Sequence, residues 1–142
     1  EPAERALAFF ERIKHQRWIS AISNNLAEAY METGRLDKAR QYAMRVLQME
    51  VPRSRPYALY TLGHIHDREG RRDYAEVSFS EGIAVAQANG DRFIQAYLER
   101  ALGRLLVAGG RAAEGRTRLA AAAGLFNEMG LGREVEETET SD

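Results

Sequence analysis

The sequence predicts an all-α fold built as a solenoid of antiparallel helix pairs, and three observations support this. Apolar residues recur every three or four positions along most of the 142 residues, as one face of a helix requires. No run of useful length shows the period-2 alternation of a strand. A pattern of leucine, glycine and small residues also returns along the chain, which is typical of stacked repeats.

Each apolar stripe predicts one helix, in chain order. Ala6, Leu7, Phe10 and Ile13 predict a short helix over residues 3–14. The stripe from Ile19 to Tyr30 predicts a second helix over residues 17–33. The later stripes predict helices over residues 36–50, 55–69, 72–89, 91–108 and 111–129. The sequence therefore contains about seven helices.

Glycines and prolines separate these helices. The glycines that stand where a stripe ends are Gly34, Gly70, Gly90, Gly110 and Gly130. Glycine enters the left-handed conformation that often ends a helix without a Cβ penalty. Asp37 and Asp73 follow two of these glycines by three residues, and we expect them to cap the next helix. Pro52 and Pro56 interrupt another junction, where a helix cannot continue.

Composition excludes several classes of function. Twenty basic and 21 acidic residues give a net charge of −1, which argues against a nucleic-acid partner. No segment is long and apolar enough to span a membrane. The absence of cysteine excludes disulfides and thiol chemistry and fits a reducing compartment such as the cytoplasm. The chain begins with Glu1 rather than Met, so we expect a segment of a longer protein.

Three segments align as repeats: LAEAYMETGRLDKA from Leu26, LGHIHDREGRRDYA from Leu62 and LGRLLVAGGRAAEG from Leu102. The leucines are 36 and 40 residues apart, and each is followed after eight residues by glycine. Small residues recur near the start of each second helix: Ala39, Ala75 and Gly115. They let the first helix of the same pair approach closely. One pair cannot bury its own apolar face, so successive pairs must stack.

This pattern resembles the tetratricopeptide repeat, whose consensus has Leu-Gly, an aromatic, Gly and a small Ala at similar spacing. The consensus tryptophan is missing here, and the period exceeds the usual 34. The resemblance is to a long-repeat variety, similar to those in bacterial transcription regulators and signalling ATPases. It implies a right-handed α-solenoid over residues 1–132, with a partial repeat at 3–14 and repeats at about 17–50, 55–89 and 91–129. The acidic tail, residues 133–142, is predicted to be disordered.

In proteins of this family, the first helices line a concave groove that holds peptides. Counting from each aligned leucine gives the candidate groove residues, which are rich in tyrosine and arginine. They are Asn24, Glu28, Met31, Tyr57, Tyr60, His64, Asp67, Arg68, Tyr97, Arg100 and Arg104. Tyrosine and arginine are enriched at binding hot spots, and arginine can hold a carboxylate with two parallel hydrogen bonds. The alternative is that the tyrosines only pack between helices.

Other readings of these residues are weaker. Asn24, Arg100 and Arg104 partly resemble the carboxylate clamp of chaperone-binding repeats, but no lysine stands in these helices; a site for another acidic group is the simpler reading. The segment HIHD places at most two ligands, His64 and Asp67, on one helix face, which makes a poor metal site. No nucleotide-binding or nucleophile motif is present. We therefore expect neither an enzyme nor a cofactor.

The sequence and the resemblance together imply a non-catalytic module that binds a peptide or protein segment. The resemblance places it in a larger bacterial signalling or transcription regulator in the cytoplasm. A second possibility is a scaffold that forms homo-oligomers. It depends on the N-terminal helix, where Phe9, Phe10 and Ile13 form an apolar edge that a stack of repeats would leave uncovered.

Overall fold

The computed structural model describes residues 2–140, which form seven α-helices and no strand. The helices are α1 Pro2–Glu32, α2 Leu36–Gln48, α3 Arg55–Arg68, α4 Arg72–Asn89, α5 Arg92–Ala108, α6 Ala112–Glu128 and α7 Gly132–Glu139. Each helix packs on the next in the chain, and α3 also contacts α1 and α5. The predicted all-α fold with helices packed in series is confirmed. The odd-numbered helices α1, α3 and α5 thus form one continuous layer.

The predicted glycine stops are confirmed. Gly34 has φ of 80°, which only glycine adopts without strain. This conformation lets the Arg35 N–H donate to the Tyr30 carbonyl at 2.8 Å, which satisfies an otherwise unpaired carboxyl-terminal carbonyl. Gly70, Gly90, Gly110 and Gly130 end their helices in the same way. The turns of successive helix pairs therefore share one geometry.

Small residues hold the paired helices close together, as the repeat pattern predicts. A Cβ added to Gly63 in α3 would lie 2.6 Å from Cδ1 of Phe79 in α4. In the next pair, a Cβ on Gly115 would lie 2.7 Å from the Gly103 carbonyl oxygen. Both distances are shorter than real contacts of a Cβ atom. The glycines are thus required for the observed interhelix distance.

The N-terminal part differs from the prediction of two helices over residues 3–14 and 17–33. Residues 2–32 form one continuous helix instead. The physical reason is that residues 14–18, KHQRW, contain neither glycine nor proline, so nothing interrupts the backbone hydrogen bonds. The separate partial repeat at 3–14 is therefore wrong. Between residues 2 and 19 of this helix, no side chain is buried.

The prediction of a disordered tail is also wrong over residues 133–139, which lie in α7. Ser141 and Asp142 of that tail lie outside the described residues. Helix α7 is held by apolar contacts, because Leu131 and Val135 pack against Phe126. Thr138 is buried and donates to the Glu134 carbonyl at 2.7 Å. The acidic composition suggested disorder, but these few contacts outweigh it.

The predicted caps are a third difference. Asp37 and Asp73 lie inside the first turns of α2 and α4, and the residues at the cap positions are Arg35 and Arg71. Neither cap side chain accepts a hydrogen bond from the helix. The aspartates still meet the positive end of the helix dipole. Their predicted electrostatic role therefore holds without the predicted hydrogen bond.

Candidate binding groove

A cavity of ≈ 310 Å³ opens on the layer formed by α1, α3 and α5. It is lined by Asn24, Asn25, Glu28, Tyr57, Tyr60, Thr61, Phe93, Ile94 and Tyr97. Five of these nine residues belong to the predicted groove: Asn24, Glu28, Tyr57, Tyr60 and Tyr97. The spacing argument therefore brought together residues from three helices that do share one cavity.

Four of the nine lining residues are aromatic, and they stand in two pairs. Tyr57 and Tyr60 are one turn apart on α3, and Phe93 and Tyr97 are one turn apart on α5, so each pair shares a helix face. The Tyr60 and Tyr97 rings meet edge to face with centroids 6.3 Å apart. The Phe93 and Tyr97 centroids lie 5.1 Å apart. The rings of Tyr60, Tyr97 and Phe93 are thus in contact across two helices.

Tyr57 links α3 to the start of α5. Its hydroxyl donates to Oδ2 of Asp91 at 2.9 Å, while Oδ1 of Asp91 accepts from the Ile94 N–H at 3.3 Å. Burial and the Asp91 carboxylate raise the pKa of Tyr57 to about 12. The phenol is therefore neutral at physiological pH. Both oxygens of Asp91 are engaged, so this carboxylate is a structural group of the cavity wall.

The polar side of the cavity comes from α1. Nδ2 of Asn24 donates to the Ser54 carbonyl at 3.1 Å. Its Oδ1 is buried and has no hydrogen-bond partner among the described residues. One turn further along α1, the Glu28 side chain is exposed at the cavity rim. Glu28 is the one charged residue among the nine that line the cavity.

His64 packs behind the cavity rather than facing it. Its ring meets Tyr60 edge to face, with centroids 4.6 Å apart, and Phe79 with centroids 5.1 Å apart. Burial lowers the pKa of His64 to about 4, although the Asp67 carboxylate acts in the opposite direction. The ring is therefore neutral near pH 7. His64 therefore packs between the Tyr60 and Phe79 rings.

Three other predicted groove residues lie away from the cavity. Met31 is buried against Ala39 and Ile65, between the helices. Arg68 ties α3 to α1, because its guanidinium donates to the Met31 carbonyl at 2.5 Å. Asp67 is exposed near the end of α3. The structure therefore places these residues at a helix junction and does not bring them to the cavity.

The two predicted groove arginines contact helix α7. Arg100 is 8% exposed and its guanidinium lies 2.6 Å from the Glu134 carboxylate. The same guanidinium stacks on the Tyr97 ring and on the Phe126 ring, 5.0 Å from each centroid. Arg104 donates to the Glu137 carbonyl at 3.3 Å. The acidic group that the sequence predicted beside these arginines is thus supplied by the chain itself.

Sequence reasoning missed four residues of the cavity wall: Asn25, Thr61, Phe93 and Ile94. The counting rule used fixed offsets from each aligned leucine and did not reach back to Phe93. A signal was available, because Phe93 stands four residues before Tyr97 and therefore on the same helix face. No such signal marked Asn25, whose position depends on the rotation of α1.

Within residues 2–140, no group of three or more histidine, aspartate or glutamate side chains is arranged to hold a metal ion. In the same part of the chain, no helix has the length and hydrophobicity needed to cross a membrane. Residues 21–50, which include the second half of α1 and all of α2, match the family model described as tetratricopeptide repeat. The comparison with curated proteins gave no match.

Proposed function

We propose that this chain, whose residues 21–50 match the tetratricopeptide repeat model, is a non-catalytic module that holds a peptide or protein segment against α1, α3 and α5. Repeats of this family serve protein–protein interaction. The site of binding is the cavity lined by the four rings and by Asn24 and Glu28. A concave surface that combines aromatic rings with a few polar side chains suits a peptide segment as the partner.

The aromatic wall is the observation that carries this proposal. Phe93 is 47% exposed. Tyr57, Tyr60 and Tyr97 pack against the buried cluster of α4 and α5, yet each ring remains partly accessible from the cavity. Tyrosine offers a large contact area with little conformational entropy to lose. Exposed rings at the centre of a concave surface are typical of binding hot spots.

Filling the cavity tests the proposal. Asn25 is exposed at the rim, so Asn25→Trp would occupy the cavity without disturbing the helix contacts below it. We expect peptides selected from a displayed random library on the wild-type protein to bind this variant at least about tenfold more weakly, as when a hot spot is covered. Dissociation constants measured by fluorescence polarisation would show the change.

Asn25→Ala is the matched control, because it removes the amide and leaves the cavity open. It should bind the selected peptides as the wild type does, and both variants should melt at the wild-type temperature by circular dichroism. The proposal fails if the library yields no binder. It also fails if the selected peptides bind the tryptophan variant with unchanged affinity.

The wider setting that we propose is a cytoplasmic bacterial signalling or transcription regulator in which this module receives the partner. This part of the proposal is supported by the likeness of the repeat to long repeats of such regulators, and by the Asn-Leu-Ala segment at residues 25–27. The sequence of the parent protein on either side of the chain would test it directly.

Self-association is a second candidate function, and one observation favours it. Leu7, Phe9 and Phe10 are 60%, 54% and 66% exposed on the first half of α1. This stretch also carries both signs of charge, with Glu4 and Glu11 among four basic residues, so ion pairs can form with a second copy. The dependence of sedimentation on protein concentration tests this candidate.

A further inference from the structure

We propose that the aromatic cavity selects a cationic side chain, lysine or arginine, of the bound segment. This inference rests on the proposed function, because it names the chemistry recognised at the same site. The cavity offers two features that suit a cation: aromatic rings and one exposed carboxylate.

The aromatic rings provide the first feature. The face of an aromatic ring carries partial negative charge and attracts ammonium and guanidinium groups. The chain already uses this attraction nearby, because the Arg100 guanidinium lies 5.0 Å from the Tyr97 centroid. The Tyr30 ring likewise holds Arg35 at 5.2 Å and Lys38 at 5.8 Å. The rings of Tyr57, Tyr60 and Phe93 line the cavity without such an internal cation among the described contacts.

Charge provides the second feature. Glu28 is the single charged side chain of the lining, and no basic residue lines the cavity. Among the described residues, no ion pair involves Glu28. An anionic ligand would therefore meet a carboxylate, while a cation would gain a charge-assisted hydrogen bond. Arg100 and Arg104 lie near Tyr60 but outside the lining, and both are engaged with α7. Arg100 pairs with Glu134 at 2.6 Å, and Arg104 donates to the Glu137 carbonyl at 3.3 Å.

The test uses butylguanidinium chloride as the probe and butylurea as its neutral counterpart of similar shape. Each is titrated into the ¹⁵N-labelled protein at constant ionic strength, and backbone amide shifts are followed. We expect saturable shifts at Asn25, Thr61 and Ile94 with butylguanidinium, and binding at least about fivefold weaker with butylurea, in line with a cation–π site supported by a carboxylate.

Two variants complete the test. Glu28→Gln should remove most of the preference for butylguanidinium, whereas Glu32→Gln, an equal change of charge on an exposed residue of α1 outside the cavity, should keep it. The inference is overturned if butylurea binds as tightly, if shifts occur away from the cavity, or if Glu28→Gln has no effect. Because the probes are not peptides, a negative result with them would contradict this inference but not the proposed function, which the peptide library tests separately.

Discussion

His64 shows how one side chain couples the cavity wall to pH. It is packed between Tyr60 and Phe79, and burial lowers its pKa from 6.5 to about 4. Between these two values the unfolded chain binds a proton at this position and the folded chain does not. The contribution of His64 to the free energy of unfolding is therefore fully present above pH 6.5 and decreases as the pH falls toward 4. The loss from this group is on the order of 3 kcal/mol.

Urea unfolding measured between pH 4 and pH 7 would detect this dependence. His64→Gln should make the free energy of unfolding depend less steeply on pH, by the contribution of one proton, because glutamine does not titrate. His15 is exposed on the first half of α1, so His15→Gln is the matched control for the substitution itself. An unchanged slope in His64→Gln would contradict the burial of a neutral ring.

At the scale of the helix, replacing glycine by alanine should change stability in opposite directions at two positions. Gly63→Ala would place a Cβ against the Phe79 ring, and the strain of about 1–3 kcal/mol exceeds the gain in helix propensity. Gly124 lies inside α6 with open space around its Cα, so Gly124→Ala should stabilise the protein by about 0.5–1 kcal/mol. Thermal melts of both variants would show shifts of opposite sign. Equal shifts would mean that the close approach of α3 and α4 is not needed.

The same scale shows what the sequence could predict. Five glycines and the apolar stripes placed the ends of α2 to α6 within two residues, because both signals are local. The continuity of α1 and the order of α7 were missed. Helix α7 depends on contacts with Phe126 and Arg100, which come from other helices and leave no trace in its own composition. For the cavity, the sequence distance from the aligned leucines correctly assigned the three tyrosines to the lining. The contribution of Asn25 could not be assigned in this way, because it depends on how α1 is rotated.

For the whole molecule, burial is distributed unevenly from one end to the other. The largest cluster of buried residues joins α4 and α5, and Tyr57 and Tyr60 from the start of α3 pack against it. In contrast, residues 2–19 of α1 bury no side chain and extend roughly 27 Å at 1.5 Å per residue. An isolated helix of this length is only marginally stable in water. The exposed apolar residues Leu7, Phe10 and Trp18 therefore favour an arrangement in which a second chain covers them.

We expect sedimentation velocity to show a monomer at micromolar concentration and a dimer as the concentration approaches the millimolar range. The double variant Phe9→Ser/Phe10→Ser should stay monomeric throughout, because it removes two exposed rings from the contacting face. Val77→Ser removes an apolar residue of comparable exposure from α4 and should dimerise as the wild type does. A monomer at every concentration would exclude self-association, because no second copy would then cover the exposed part of α1. In that case the first half of α1 should exchange its amide hydrogens far faster than α5, because nothing would protect the helix.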